Sequence, residues 1–217
     1  MRRLIPTGFP AAALAAACCF GIIAAAIRLQ AFPGLDESIA ARIQGWESPW
    51  LTPVMIFLSW MGTGLPLVLL TAAIMGLLYR KLGLRRELGL IAFIALGSAL
   101  LNTGLKHLFR RPRPEVYRLA EATGFSFPSG HSMAAFSLYG LLALLLWPHL
   151  RGIAGRTAVL AAAGILISAI GFSRIYLGVH YPSDVLGGYA ASACWIAIVL
   201  ALYRRLSRTA AGSRNAS

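Results

Sequence analysis

Six long apolar runs, separated by short polar and basic segments, set the pattern of this 217-residue chain. A helix that crosses the hydrocarbon core of a bilayer needs about 20 residues, with a range of about 17 to 25. The runs occupy residues 9–29, 51–79, 88–108, 131–147, 157–176 and 184–203. The pattern therefore predicts an all-α integral membrane protein, built as a bundle of six transmembrane helices.

Composition supports a membrane protein with a single domain. Hydrophobic residues make up 58% of the chain and charged residues 12%, whereas charged residues make up about 25% of soluble domains. We predict one membrane-embedded domain over residues 1–217, with a disordered polar tail at 209–217. A cleaved signal peptide is the alternative interpretation of the first run, because Met1-Arg2-Arg3 is a basic start. However, the run exceeds the apolar core of such a peptide, which is about 7 to 15 residues long, and its removal would leave an odd number of spans.

Basic residues fall mostly on one side of the predicted bundle. Under the positive-inside rule, loops rich in lysine and arginine are cytoplasmic. The rule places both termini and the second and fourth loops in the cytoplasm, since these carry Arg2, Arg3, Arg80, Lys81, Arg85, Arg86, Arg151, Arg156, Arg204, Arg205, Arg208 and Arg214. The first loop then lies on the outer face, with Asp36, Glu37 and Glu47 beside Arg28 and Arg42.

Six basic residues on the outer side break this charge rule. They are Lys106, Arg110, Arg111, Arg113, Arg118 and Arg174. We interpret the exception as a site for an anionic ligand on the outer side of the membrane. The net charge of +13 does not indicate a nucleic-acid partner, because its inner share is the usual signal for orientation.

Polar residues at the ends of the last four runs suggest how such a site forms. Pro112 ends any helix that follows Lys106, since proline lacks the amide donor and restricts the residue before it. Ser129 suits the N-cap of the fourth span, whose free amides make an anion site. Asp184 follows His180 by four residues, near enough to hydrogen-bond one imidazole nitrogen and leave the lone pair of the other free to attack.

These residues form three stretches with a recognisable order and spacing. The stretches read Lys106-His-Leu-Phe-Arg-Arg-Pro-Arg113-Pro114, Pro128-Ser129-Gly130-His131 and Ser173-Arg174-Ile-Tyr-Leu-Gly-Val-His180-Tyr-Pro-Ser-Asp184. The chain resembles the type 2 phosphatidic acid phosphatase superfamily at every fixed position of its phosphatase signature. The resemblance covers residues 88–203, the motif-bearing core.

The resemblance implies a role for each residue of the signature. His180 would be the nucleophile on phosphorus and give a phosphohistidine, Asp184 would orient it, and His131 would protonate the leaving oxygen and later activate water. The phosphoryl oxygens would be bound by Lys106, Arg113, Ser129, the Gly130 amide and Arg174. Guanidinium groups and amides can neutralise a phosphoryl group without magnesium.

We expect neither a metal nor another cofactor. The sequence has no cluster of spare carboxylates to hold a metal ion. Its cysteines, Cys18, Cys19 and Cys194, all lie in apolar runs without metal spacing, so neither a zinc site nor a disulfide framework is indicated.

Several further residues leave two interpretations open. Arg110, Arg111 and Arg118 would contact either the substrate headgroup or lipid phosphates. Tyr176 and Tyr181 would line the site or belong to an interfacial aromatic belt. His107 and His149 are interpreted as structural, and an amphipathic interfacial helix is predicted in the first outer loop from Ile39, Ile43, Trp46, Glu47 and Trp50.

The sequence therefore predicts a lipid phosphatase of the bacterial cytoplasmic (inner) membrane, with its active site facing the periplasm or cell exterior. The partners would be the bilayer and a lipid phosphate such as undecaprenyl diphosphate, phosphatidylglycerophosphate or phosphatidate, with no obligate protein partner. Two alternatives remain: a phosphotransferase that uses the same intermediate, and a lipid or anion transporter that only binds its cargo. A vanadium-dependent haloperoxidase shares the site motif, but six spans argue against it.

Overall fold

The computed structural model describes residues 8–31, 33–62, 64–83, 85–115, 118–150 and 152–213. Across these ranges the regular structure is helical, which confirms the predicted all-α class. Among the basic residues used to orient the chain, Arg2, Arg3, Arg151 and Arg214 lie outside the described residues.

The helices follow the apolar runs, with additions between them. The α-helices are α1 (Phe9–Arg28), α2 (Pro33–Gln44), α3 (Leu51–Met61), α4 (Gly64–Leu82), α5 (Arg85–Phe109), α6 (Gly130–Ala135), α7 (Leu141–Leu146), α8 (Gly152–Tyr176) and α9 (Pro182–Ser213). A π-helical turn at Phe136–Gly140 joins α6 to α7, and a 3₁₀ turn at Trp147–His149 follows α7.

Five segments of the described chain are long and apolar enough to cross a membrane. They are Phe9–Arg28, Leu88–Phe109, Gly130–His149, Gly152–Tyr176 and Pro182–Leu206. The pair α3 and α4 makes a sixth span when it is counted as one bent unit. The three signature stretches gather at one end of the bundle, which we call the motif end.

The second predicted span is not the continuous helix that we expected over residues 51–79. It is divided into α3 and α4, whose axes differ by 59°. Gly64, the first residue of α4, has a φ of +64°, a left-handed conformation that the interior of a helix does not contain. At Gly62 a Cβ would lie 2.7 Å from Cγ2 of Ile170 and 3.4 Å from a ring carbon of His131. Hydropathy averaged over a window of residues does not detect such a break, because the break depends on the backbone at only two positions.

The structure also differs in part from two predictions for polar segments. The first loop contains a helix, as predicted, but α2 ends at Gln44, so Trp46 and Trp50 lie beyond it. The tail predicted to be disordered from Thr209 instead continues α9 to Ser213. The segment contains alanine and no proline, so the helix of the last span can extend past its apolar part. Residues 214–217 lie outside the described part.

Two apolar clusters fix the helices that carry the signature stretches. One cluster lies away from the motif end and joins four helices through Leu78, Ile94, Leu141 and Leu200. A second cluster lies at the motif end and includes Met55, Tyr176, Leu177 and Val179. The segment that starts with α6 packs against α5, α8 and α9. The ends of these helices are therefore fixed relative to one another, which positions the signature stretches.

Candidate active site

The three signature stretches meet at one cavity of about 590 Å³. Its lining contains six of the eight residues predicted to form the site: Lys106, Arg113, Gly130, His131, Arg174 and His180. The other two, Ser129 and Asp184, are fully buried behind this lining. Residues from positions 106 to 184 thus converge as the sequence predicts.

His180 and Asp184 form the pair expected from their spacing. His180 lies on the short connection after α8, and Asp184 is in the first turn of α9. The Nδ1 atom of His180 is 3.4 Å from Oδ2 of Asp184. The same Oδ2 accepts hydrogen bonds from the hydroxyl of Ser126 and, at 2.9 Å, from the amide of Tyr181. The carboxylate is therefore held by several donors.

The second nitrogen of His180 fixes the tautomer. Nη1 of Arg113 lies 3.1 Å from Nε2 of His180. A guanidinium has no acceptor, so Nε2 presents its lone pair to Arg113 and the proton resides on Nδ1. Burial lowers the pKa of His180 to about 4, against the hydrogen bond and negative charge of Asp184. The imidazole is therefore neutral near pH 7, as a nitrogen nucleophile must be.

Arg113 also ties together the loops that surround the cavity. Its Nε donates to the carbonyl of Gly124 at 3.0 Å, Nη2 donates to Thr123 at 3.0 Å, and Nη1 donates to Val179 at 2.8 Å. Most of its five N–H groups are thereby engaged. The residue predicted to bind phosphate is thus also the link between the loop before α6 and the connection before α9.

Arg174 brings a second guanidinium to the cavity from the last turn of α8. Its side chain is buried, and Nη1 donates to the hydroxyl of Ser59 in α3. Its Nε has no hydrogen-bond partner within the described chain. A buried donor without a partner is costly. The cavity that Arg174 lines therefore carries a second buried guanidinium beside that of Arg113.

The Pro-Ser-Gly-His stretch begins a helix as predicted. Ser129 is the N-cap of α6, and its hydroxyl accepts a hydrogen bond from the amide of Ser132 at 3.4 Å. The amide of Ser129 donates to the carbonyl of Asp184 at 3.0 Å, which joins the second and third stretches. Gly130 and His131 follow and line the cavity. The start of α6 therefore faces the proposed anion site, where helix amides favour negative charge.

The cavity continues past the charged residues into an apolar arm. This arm lies between α4, α5 and the segment that starts with α6. Its lining is mainly apolar, with Leu67, Val68, Ala95, Ala99, Met133 and Leu138, and also includes Thr71, Ser98 and Ser137. One cavity thus combines a cationic end with an apolar extension, a shape suited to an amphiphile.

Arg111 differs from both interpretations that the sequence left open. It is neither a cavity residue nor a free lipid anchor, because it pairs with Asp36 and Asp184 at 2.7 Å each. Arg110 and Arg118 donate to the backbone carbonyls of His107 and Pro114. The charge rule grouped these arginines together, and it cannot distinguish an inward-facing cation from an exposed one.

Other residues behind the site carried no clear signal in the sequence. Asp36, Ser126 and Ser183 are buried and hydrogen-bonded around Asp184 or its neighbours. Tyr176 is fully buried and contacts Thr52, at 2.9 Å between the hydroxyls, so it belongs neither to the cavity nor to a belt. Tyr181 packs its ring 4.3 Å from the guanidinium carbon of Arg111. The available hints were the position of Ser183 inside the third stretch and the proximity of Ser126 to the second.

Comparison with known proteins identifies the family. The model of the PAP2 superfamily matches residues 87–208. The chain belongs to the PAP2 superfamily. Phosphatidylglycerophosphatase B of Bacillus subtilis is 38% identical over 79% of this chain and 84% of its own length. A protein of Escherichia coli that provisionally bears the name undecaprenyl-diphosphatase is 32% identical over 74% of this chain and 81% of its own length.

Solved structures of other proteins share the helical architecture. The crystal structure of a transmembrane PAP2 phosphatidylglycerolphosphate phosphatase from Bacillus subtilis superposes with a TM-score of 0.78 at 34% identity, over 89% of this chain and 96% of that chain. The structure of Aquifex aeolicus LpxE, at 23% identity, shares the fold with a TM-score of 0.61 over 78% of this chain and 96% of that chain. The chain is thus a multi-pass membrane phosphatase of the PAP2 type.

Proposed function

We propose that this PAP2 phosphatase hydrolyses a lipid phosphate or diphosphate through a phosphohistidine on His180. One observation carries the proposal: an imidazole whose Nδ1 faces Asp184 and whose Nε2 faces the cationic end of the cavity. Phosphoryl transfer depends mainly on positioning and on neutralising charge at the equatorial oxygens. Lys106, Arg113 and Arg174 line the cavity and would supply that charge.

The reaction has two steps. In the first, the Nε2 lone pair of His180 attacks phosphorus while the bond from phosphorus to the leaving oxygen breaks, and His131, which starts as the protonated imidazolium, gives that oxygen its proton and becomes neutral. In the second, His131 takes a proton from water, the water oxygen bonds to phosphorus, and the bond between phosphorus and Nε2 breaks. Inorganic phosphate leaves, and both histidines return to their starting states. In both steps Asp184 accepts a hydrogen bond from the Nδ1–H group and stabilises the positive charge on the imidazole.

The substrate class is supported by the apolar arm and by the names of similar proteins. A headgroup at the cationic end would leave its hydrocarbon tail in the arm or the bilayer. Phosphatidylglycerophosphate, undecaprenyl diphosphate and phosphatidate all fit this arrangement. We place the site on the outer face of a bacterial cytoplasmic membrane, with both termini inside, because this agrees with the distribution of basic residues in the loops.

A phosphotransferase would use the same first step and replace water with another lipid or glycan as the acceptor. A transporter would bind the same headgroup without breaking a bond, but its site usually lies near the membrane midplane. Here the basic residues lie near the ends of the helices, at the motif end of the bundle. This position favours hydrolysis at the membrane interface.

Phosphate release by the purified protein, measured across a panel of lipid phosphates and diphosphates, tests this function. We expect stoichiometric inorganic phosphate and dephosphorylated lipid with at least one panel member, and loss of turnover in His180→Ala by more than the about 10²- to 10⁴-fold typical of a general acid or base. Activity should survive a metal chelator, since the proposed charge neutralisation uses side chains. Lipid consumption without phosphate release would favour transfer, and activity retained by His180→Ala would reject the nucleophile.

A further inference from the structure

A buried ion-pair network lies behind the cavity and joins the first loop to Asp184. Nη1 of Arg111 donates to Oδ1 of Asp184 at 2.7 Å, and Nη2 donates to Oδ2 of Asp36 at 2.7 Å. The Arg111 side chain is 15% exposed, that of Asp36 5% and that of Asp184 0%. Such pairs are screened little by solvent, so breaking one leaves an uncompensated buried charge.

Ser183 closes the network into a ring. Its hydroxyl accepts from Nη1 of Arg111 at 2.7 Å and donates to Asp36, and its amide donates to Oδ1 of Asp36 at 3.0 Å. Tyr181 packs against the face of the Arg111 guanidinium. The plane of the guanidinium is therefore fixed by contacts on its edge and on its face.

The two oxygens of Asp184 have different partners. Oδ1 accepts from Arg111, whereas Oδ2 faces Ser126, the amide of Tyr181 and His180. A carboxylate held at one oxygen by a fixed guanidinium cannot rotate about its Cβ–Cγ bond without losing a charged hydrogen bond. Arg111 thus acts with Ser126 and the amide of Tyr181 to keep Oδ2 toward Nδ1 of His180, and it is the charged donor among them.

We infer that Arg111 and Asp36 are positioning residues for the phosphatase reaction and act by fixing the Asp184 carboxylate against His180. The inference rests on the proposed function, in which His180 attacks phosphorus. Neither residue lines the cavity, so neither is expected to bind substrate. The first loop, through Asp36 in α2, then becomes part of the machinery that orients the nucleophile.

Steady-state kinetics of charge-removing variants test this role. Phosphate release from phosphatidylglycerophosphate in detergent micelles would be measured for Arg111→Gln, Arg111→Lys, Asp36→Asn and the double variant Arg111→Gln with Asp36→Asn. The matched controls are Arg42→Gln and Glu37→Gln, which remove the same charges from exposed positions of α2. Thermal unfolding of each variant in detergent would establish that it is folded.

We expect kcat of Arg111→Gln to fall about 10- to 100-fold, as is typical of groups that orient a catalytic side chain, with KM nearly unchanged. Asp36→Asn should lower kcat less, because Arg111 keeps its bond to Asp184. Arg111→Lys should recover part of the loss, since an ammonium can satisfy one oxygen but lacks the two-pronged fit. The double variant should be no slower than Arg111→Gln, because the two residues act as a unit. Both controls should match the wild-type protein.

Wild-type kcat in folded Arg111→Gln, or a raised KM with unchanged kcat, would overturn the inference. If Arg111→Gln does not fold, Asp36→Asn decides, because it keeps the side-chain shape, and an unchanged kcat there is equally contradictory. A failure of the proposed function would be distinguished by the His180→Ala variant. If His180→Ala stays active, the nucleophile is wrong; if His180→Ala is inactive while Arg111→Gln is normal, only the positioning role is wrong.

Discussion

At the scale of single residues, the contact between Arg113 and His180 bears on how the reaction begins. Nη1 of Arg113 donates to the same Nε2 whose lone pair would attack phosphorus. Phosphoryl oxygens are stronger acceptors for a guanidinium than a neutral imidazole is, because the hydrogen bond to an oxyanion is charge-assisted. We expect a bound phosphate to draw this donor away from Nε2. The residue that orients the imidazole would then also stabilise the phosphoryl group.

The protonation of His180 gives a prediction at this scale. Its pKa is lowered to about 4 by burial, so the imidazole should stay neutral from pH 7 down to about pH 5. An NMR titration of protein labelled with ¹⁵N-histidine measures this, and His180→Ala assigns the signal by its absence. A midpoint near the ordinary value of about 6.5 would contradict the burial described here.

The same shift has a consequence for stability. In the unfolded chain His180 takes up a proton near pH 6.5, whereas in the folded protein it does so near pH 4. Between these pH values the unfolded state binds more protons, so the free energy of unfolding should fall as the pH is lowered through this window. His180→Ala should lose this part of the pH dependence.

At the scale of elements, the site depends on how closely α9 approaches the start of α6. A Cβ on Gly188 would lie 2.9 Å from the carbonyl oxygen of Ser129 and 3.0 Å from Cβ of Ser132. A Cβ on Gly187 would lie 2.3 Å from the ring of Phe127. Small residues allow helix backbones in membranes to come together in this way. Here they bring the N-cap of α6 against the second turn of α9.

Gly188→Ala tests this approach. The added methyl group should push α9 away from Ser129 and destabilise the protein by about 1–3 kcal/mol, the usual cost of overpacking, with a loss of activity. Gly164→Ala is the matched control, because Gly164 is in α8 with open space around it. There the same substitution should be neutral or stabilising by up to about 1 kcal/mol, through helix propensity. Thermal unfolding in detergent compares the two, and equal effects would contradict the close fit.

At the scale of the whole molecule, sequence predicted what local pattern encodes. Hydropathy predicted the spans, because each apolar run is continuous in sequence. The resemblance to the phosphatase signature implied the residues that line the cavity, because each of its three stretches is recognisable by itself although together they extend from Lys106 to Asp184. The pairing of Asp36 with Arg111 joins positions 75 residues apart, so no local sequence pattern indicates this ion pair. The break between α3 and α4 depends on single backbone positions, which a window average conceals.

The orientation of the whole chain gives a further prediction. In a background without the native cysteines, Glu121→Cys near the cavity and His149→Cys at the opposite end of the bundle would each place one exposed thiol. A membrane-impermeant maleimide should label the first in intact cells and the second only after the membrane is opened, because the basic loops are expected inside. The reverse pattern would turn the active site toward the cytoplasm.

The stereochemistry at phosphorus tests the central claim most directly. A lipid phosphate made chiral at phosphorus with oxygen isotopes and sulfur would be hydrolysed in isotopically labelled water, and the configuration of the released thiophosphate determined. Each in-line displacement inverts the phosphorus centre. A phosphohistidine on His180 requires two displacements, so we predict overall retention. Net inversion would show that water attacks phosphorus directly and would contradict the covalent mechanism.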